Sequence, residues 1–213
     1  MVKVTTKPLL SWGAIIKSIF NTPLDYKNLS IPWLSKSTHK YYWLSQSCFA
    51  LLAIIRWWKL SYNKQKPVIW VPDYFCNQSL ELLRSEGCEL LFYPINKHLK
   101  PDWGLCESLA KENKPDLFIL VHYFGYPSDI IGAQSFCDRN NAVFIEDAVH
   151  VLKPNNNIGE SSDFVFYSPH KHIAIPDGSI LIQNKKSRDS VLVKDIPHDQ
   201  LMDKVINEFS NNT

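Results

Sequence analysis

From residue 68 onward the chain alternates short, unbroken apolar runs with amphipathic segments, and few folds accept that pattern. The runs 68–72 (VIWVP), 89–94 (ELLFYP), 117–123 (LFILVHY), 142–147 (AVFIED), 163–168 (DFVFYS) and 179–183 (SILIQ) are short and rich in β-branched and aromatic residues, which predicts strands. Between them, 77–87 predicts a helix with Leu80, Leu82 and Leu83 on its apolar side and Gly87 just past its end. Segment 102–113 predicts a second helix, opened by Asp102, and 129–141 a third. Strands that lack polar alternation are covered on both faces. The expected fold class is therefore α/β, a three-layer α/β/α domain around a mainly parallel central sheet. Ligands of such sheets gather at the carboxyl ends of the strands. The polar residues of this chain collect at four of those ends, 73–76, 122–125, 147–150 and 168–171.

Ahead of the first of these strands, 45–60 (SQSCFALLAIIRWWKL) predicts a helix that begins at Ser45, Gln46 and Ser47 and is buried along 48–55. Arg56 ends that apolar run, which is too short to cross a bilayer, so no membrane partner is expected. Lys17 interrupts the apolar start of the chain and no small-residue cleavage site follows, which predicts no secretory signal. Residues 1–44 crowd Trp12, Trp33, Tyr41, Tyr42 and Trp43 around Pro23 and Pro32, and are expected to wrap the domain or to supply part of a partner contact. The expected organisation is an aromatic-rich segment at 1–44, a large domain at 45–190, and a weakly helical tail at 191–213 without an obvious closing element. Cys48, Cys76, Cys88, Cys106 and Cys137 are scattered and odd in number, which speaks against a disulfide framework or zinc ribbon and suits a reducing, cytoplasmic setting. A net charge of +2 provides no basic stripe for a nucleic acid.

Five stretches carry candidate chemistry. FIEDAVH (144–150) ends a strand on Asp147 and continues to His150. Lys171 follows Asp147 by 24 positions, behind another buried strand, in FYSPHKHIAIPDGSILI with Ser168 before it and His170 and His172 on either side. Taken alone, Asp147 reads more readily as a cap or turn residue, and Lys171 far more readily as an exposed loop lysine. The helix start at Ser45, Gln46 and Ser47 offers unpaired amides and the positive end of a helix dipole, which suits an anion. VPDYFCNQ presents Tyr74 and Cys76 at a strand end, with Phe75 directed toward the core, and LVHYFGYPSDI presents a histidine and a glycine at another.

In this order the five stretches resemble the DegT/DnrJ/EryC1/StrS sugar-aminotransferase family, enzymes with the aspartate-aminotransferase-like fold that use pyridoxal 5'-phosphate (PLP). The resemblance covers roughly residues 45–183. It implies the large domain of PLP-transferase fold type I, without the small C-terminal domain that members of the family carry. It also implies that Lys171 is the Schiff-base lysine and catalytic proton carrier. Asp147 would pair with the pyridine nitrogen, keeping it protonated so that the ring can take up the electrons of a substrate carbanion. His150 would lie beside the ring, and Tyr74 and Cys76 would sit in the loop that stacks on it. Ser47 and Ser168 would hold the phosphate, with Gln46 where the family usually has glycine. The implied reaction moves an amino group between an amino acid and a nucleotide-linked keto-sugar, and the implied assembly is a homodimer or a pair with a companion chain. Two other readings stay open. One is a truncated, non-catalytic module that partners another subunit, favoured by Gln46. The other is a metal site at Asp147, His150, His170 and His172, disfavoured because histidines two apart lack the i,i+4 helical spacing of common zinc sites, so no metal is expected.

Overall fold

The apolar runs pair into one seven-stranded sheet, seen in a computed structural model that describes residues 12, 13, 16, 25–34, 39–155, 157–184 and 198–211. The strands are β1 (Lys40–Leu44), β2 (Val68–Pro72), β3 (Glu89–Tyr93), β4 (Leu117–Val121), β5 (Val143–Ala148), β6 (Phe164–Tyr167) and β7 (Ser179–Gln183). Their order across the sheet is β1-β7-β6-β5-β4-β2-β3. All pairings from β3 through β6 are parallel, and β7 runs antiparallel to both β6 and β1. The expected mainly parallel sheet is thus the one that forms.

Helices cover both faces. They are α1 (Tyr26–Ser30), α2 (Ser47–Tyr62), α3 (Asn77–Ser85), α4 (Trp103–Ala110), α5 (Ile130–Asn140) and α6 (His198–Asn211). On one face Val71, Ile119, Ile145, Phe166 and Leu181 pack with α2, α3 and α6. On the other, Trp70, Phe118, Phe144, Val165 and Ile182 pack with α4 and α5. Every residue of α2 from Ala50 to Ile55 is buried, because the helix lies between the sheet and α6 and has apolar neighbours on most sides. Among the described residues no helix is long and apolar enough to cross a membrane.

Two segments differ from the sequence expectation. Residues 40–44, grouped there with the wrapping segment, form the edge strand β1 in register with β7. The tail supplies α6, whose Leu201, Met202 and Val205 are buried in the core against α2. Asp203 joins the two: its carboxylate accepts hydrogen bonds from Lys40 Nζ (2.7 Å) and Tyr42 Oη (2.6 Å). Trp33 is buried nearby, donating from its indole to the Leu152 carbonyl (2.7 Å) and meeting Trp43 edge-on. The other calls on residues 1–24, 35–38 and 185–197 lie largely outside the described residues.

Because Leu201 is fully buried between α6 and the rest of the core, Leu201→Ala should destabilise the chain by about 2–4 kcal/mol, read from denaturant unfolding. Unchanged stability would show that α6 does not close this core.

Candidate cofactor site

Parallel strands bring their carboxyl ends to one rim, and β1 and the start of β7 join them there. Leu44 is paired with Ser179, and the Gly178 amide donates to the Ser45 carbonyl (2.9 Å), so the start of α2 lies against the loop that follows Lys171. Pro169 opens a single 3-10 turn, Pro169–Lys171, that lifts Lys171 to an exposed position. The turn is held at both ends. The Lys171 amide donates to the Ser168 carbonyl (3.0 Å), and His170 donates through Nδ1 to the Gly178 carbonyl (2.9 Å). Ser179 Oγ donates to the Tyr167 carbonyl (2.8 Å). His170 is thereby a fastener of the lysine loop.

The end of β5 carries two consecutive carboxylates, which a strand must send to opposite faces. Glu146 is fully buried and fully engaged. It accepts from His122 Nε2 (2.8 Å) and from the Gly159 amide (3.0 Å). His122 is equally buried, and its Nδ1 accepts from the Ser128 amide (3.0 Å), which fixes the tautomer and leaves Nε2–H for the glutamate. The His122 amide in turn donates to the Asp147 carbonyl (3.0 Å), cross-bracing the ends of β4 and β5.

Asp147 faces the α2 side and is treated differently. One oxygen accepts from the Val149 amide (3.1 Å), and among the described residues no ion pair engages it. Burial pushes its carboxyl up to about 6, opposed by the Val149 amide, by the charge of Lys171 and, least, by His122. Burial also pushes the His150 imidazole down, with Lys171 and His172 adding to the effect. The Phe124 ring stacks on His150 (5.8 Å between centroids, 7° between planes) and the Phe124 amide donates to its Nδ1 (3.3 Å). Gly125 is required beside them: at φ +84° a Cβ there would stand 3.0 Å from the His150 carbonyl oxygen.

The remaining predicted residues border the same rim. Tyr74 stacks on Tyr123 (5.6 Å), whose hydroxyl donates to the Tyr74 carbonyl (2.5 Å), and Phe75 packs against the core. Cys76 is the N-cap of α3 and lies close enough to Cys48, in the first turn of α2, to affect its thiol, which burial chiefly pushes up. Gln46 is the N-cap of α2, with Ser47 opening the helix, and neither Gln46 nor Cys76 gives a side-chain cap. By contrast, α1, α4 and α5 are capped by Asp25, Asp102 and Asp129. The starts of α2 and α3 are therefore free of a carboxylate cap and keep their preference for an outside anion, whereas those of α4 and α5, which follow β3 and β4, do not. Ser168 Oγ is buried with no hydrogen-bond partner among the described residues. Together the rim offers an exposed amine, a buried carboxylate without a counter-ion, an imidazole, an orphaned hydroxyl and two open helix starts. The sequence reading gave no role to Glu146 or Phe124. Strand alternation could have found the first, since a glutamate beside Asp147 on a buried strand must reach the opposite face and needs a partner there.

No protein-family model matches the sequence, and no curated protein matches it. Solved structures do match the fold. PseC of Helicobacter pylori, an aminotransferase involved in pseudoaminic acid biosynthesis, superimposes with a TM-score of 0.70 at 16% identity over 98% of this chain and 65% of its own. The aminotransferase TlmJ of Streptoalloteichus hindustanus gives 0.70 at 16% identity over 95% of this chain and 55% of its own. NtdA of Bacillus subtilis, solved with the cofactor PMP, gives 0.59 at 16% identity over 80% of this chain and 36% of its own. This chain has the α/β fold of these aminotransferases and spans less than two thirds of each one's length.

The electrostatics of Asp147 can be tested without any ligand. Its pKa near 6 in the fold exceeds the unfolded value of about 3.9, so between those pH values the folded chain keeps a proton that the unfolded chain has lost. Stability from this group therefore falls as pH rises through that window and levels off above it, by on the order of 2–3 kcal/mol. Asp147→Asn keeps an acceptor for the Val149 amide but does not ionise. Denaturant unfolding should find it equal to wild type near pH 4 and more stable at pH 7. A variant less stable than wild type at pH 7 would contradict this.

Proposed function

We propose that this rim binds PLP and that the chain is the cofactor-binding portion of an aminotransferase of the DegT/DnrJ/EryC1/StrS type, acting on a nucleotide-linked keto-sugar with an amino acid as donor. The observation that supports the reading is a buried Asp147, with no ion-pair partner among the described residues, that feels the charge of an exposed Lys171 at the strand ends where this fold collects ligands. The residues fit the cofactor at both ends. Asp147 suits a protonated ring nitrogen, which would supply the positive charge that its buried carboxylate lacks. The orphaned Ser168 hydroxyl and the open start of α2 at Gln46 and Ser47 suit a phosphate.

When bound, PLP supplies an electron sink for a carbanion formed at the substrate carbon. The chain's own groups do the rest. Asp147 holds the ring-nitrogen proton in place, and its raised proton affinity reports how strongly burial favours such a partner. Lys171 would supply the amine that attaches the cofactor, and its free amine would be the group that holds and moves a proton during turnover. His150, fixed by the Phe124 ring and amide, would lie beside the ring, and Tyr74 and Cys76 would belong to the loop that stacks on it. Tyr74, Leu152, Ile173 and Ile175 leave exposed apolar surface around the rim, which supports a second copy or a companion chain covering the site.

Lys171→Ala should abolish covalent attachment of PLP and its visible absorption while leaving noncovalent binding through the ring and phosphate contacts. Asp147→Asn should keep the attachment but weaken cofactor affinity by roughly two orders of magnitude, the scale of removing one member of a buried charge pair. Titrations followed by absorbance separate this from the alternative of a cofactor-free partner subunit, in which neither substitution would alter PLP uptake.

A further inference from the structure

Phe124 is strained and exposed at once. Its φ of +54° lies in the left-handed region, yet its side chain is 65% exposed. The other non-glycine residues at positive φ among those described have a reason close by. Asn63, Asn141 and Asn157 are of a type that tolerates it. Leu99 packs against the core, in a turn closed by Asn96 Oδ1, which accepts from the His98 and Lys100 amides (2.9 and 3.3 Å). Phe124 fills no core. Strain of this kind persists where the surroundings enforce it, and it gathers at functional sites.

The enforcement starts in the buried layer. His122 Nδ1 accepts from the Ser128 amide (3.0 Å), so residues 122–128 close into a loop around one imidazole. Glu146 holds that imidazole from its other nitrogen (2.8 Å) and is itself held by the Gly159 amide (3.0 Å). Within the loop the Tyr126 amide donates to the Tyr123 carbonyl (3.0 Å), and Gly125 lies against the His150 carbonyl. The strained residue then makes two contacts with one side chain. Its amide donates to His150 Nδ1 (3.3 Å), and its ring lies nearly parallel to the imidazole, 5.8 Å away between centroids. An N–H aimed at Nδ1 needs the lone pair there, so the proton of a neutral His150 sits on Nε2. The turn at Phe124 thus sets both the plane and the tautomer of His150 and leaves Nε2–H as its donor at the rim.

We infer that His122 and Phe124 are positioning residues of the proposed cofactor site, acting through the closed 122–128 loop to fix the ring plane and tautomer of His150. The inference rests on the reading of the rim as that site and adds to it the residues that prepare one of its groups from a distance. An imidazole fixed in advance loses no rotamer or tautomer freedom when a ligand arrives, and that is how such a support raises affinity.

The test reads the imidazoles directly, by nitrogen NMR of the full chain with its histidines neutral, beside PLP titrations of the same proteins followed by absorbance. In the wild type, His122 and His150 should each be a single tautomer protonated on Nε2. Phe124→Pro, at an exposed position, removes both the amide donor and access to positive φ, and should turn His150 into a mixture of tautomers. Phe124→Gly keeps the N–H and accepts positive φ, and should keep the single tautomer. His122→Leu, combined with Glu146→Gln so that no buried carboxylate is stranded, should also give the mixture. Where the tautomer is mixed, PLP affinity should fall about five- to tenfold, the worth of one neutral hydrogen bond. A mixed His150 in the wild type, a His122 protonated on Nδ1, or a single tautomer that survives Phe124→Pro or the double change overturns the inference. So does unchanged PLP affinity in a variant whose tautomer is mixed. A tautomer that responds as described, in a chain that takes up no PLP, supports the role of the loop and counts against the cofactor reading.

Discussion

Strand alternation at the end of β5 is the constraint on which the site depends. Glu146 and Asp147 are adjacent on a central, doubly covered strand, so one carboxylate must enter each layer. On the α4 and α5 side the protein satisfies the charge completely, with His122 and the Gly159 amide closing on Glu146 and the Ser128 amide closing on His122. On the α2 side it leaves Asp147 with a single backbone donor. A buried polar group with unmet capacity is costly, and here the cost appears as a raised proton affinity. The satisfied glutamate network is what makes the unsatisfied aspartate possible, because it pins the β4 and β5 ends and the loops on either side.

The same asymmetry extends to the helices. Aspartates cap α1, α4 and α5, the last two after the ends of β3 and β4, whereas α2 and α3 have no carboxylate cap. The lysine loop follows this plan: its backbone is fixed by His170, Gly178 and Ser179, but the Lys171 side chain stays exposed. Rigid supports around groups without partners among the described residues are what the proposed cofactor reading requires.

Much of this was legible in the sequence. Unbroken apolar runs require burial on both faces, so the sheet and the polar strand ends could be read from pattern alone, and the aspartate cap of α4 stood where expected. What could not be read depends on distant partners. β1 is recognisable only through its pairing with β7, some 140 residues on, and α6 only through Leu201, Met202 and Val205 meeting α2. The link from His122 to Glu146 needs the β4–β5 register, and the strained backbone at Leu99 and Phe124 is imposed by closures that no local propensity favours. Asp147 and Lys171 were singled out by motif order, but the electrostatic influence of one on the other depends on the folded sheet.

The central claim is that Lys171 is the lysine that attaches the cofactor at a site anchored by Asp147. Its most direct test is to incubate the chain with PLP, reduce with borohydride, digest, and map the modified peptide by mass spectrometry. The account predicts one pyridoxyl group, on Lys171 within the SPHKH stretch. A pyridoxyl group on another lysine, or none above the level of a denatured control, would contradict it.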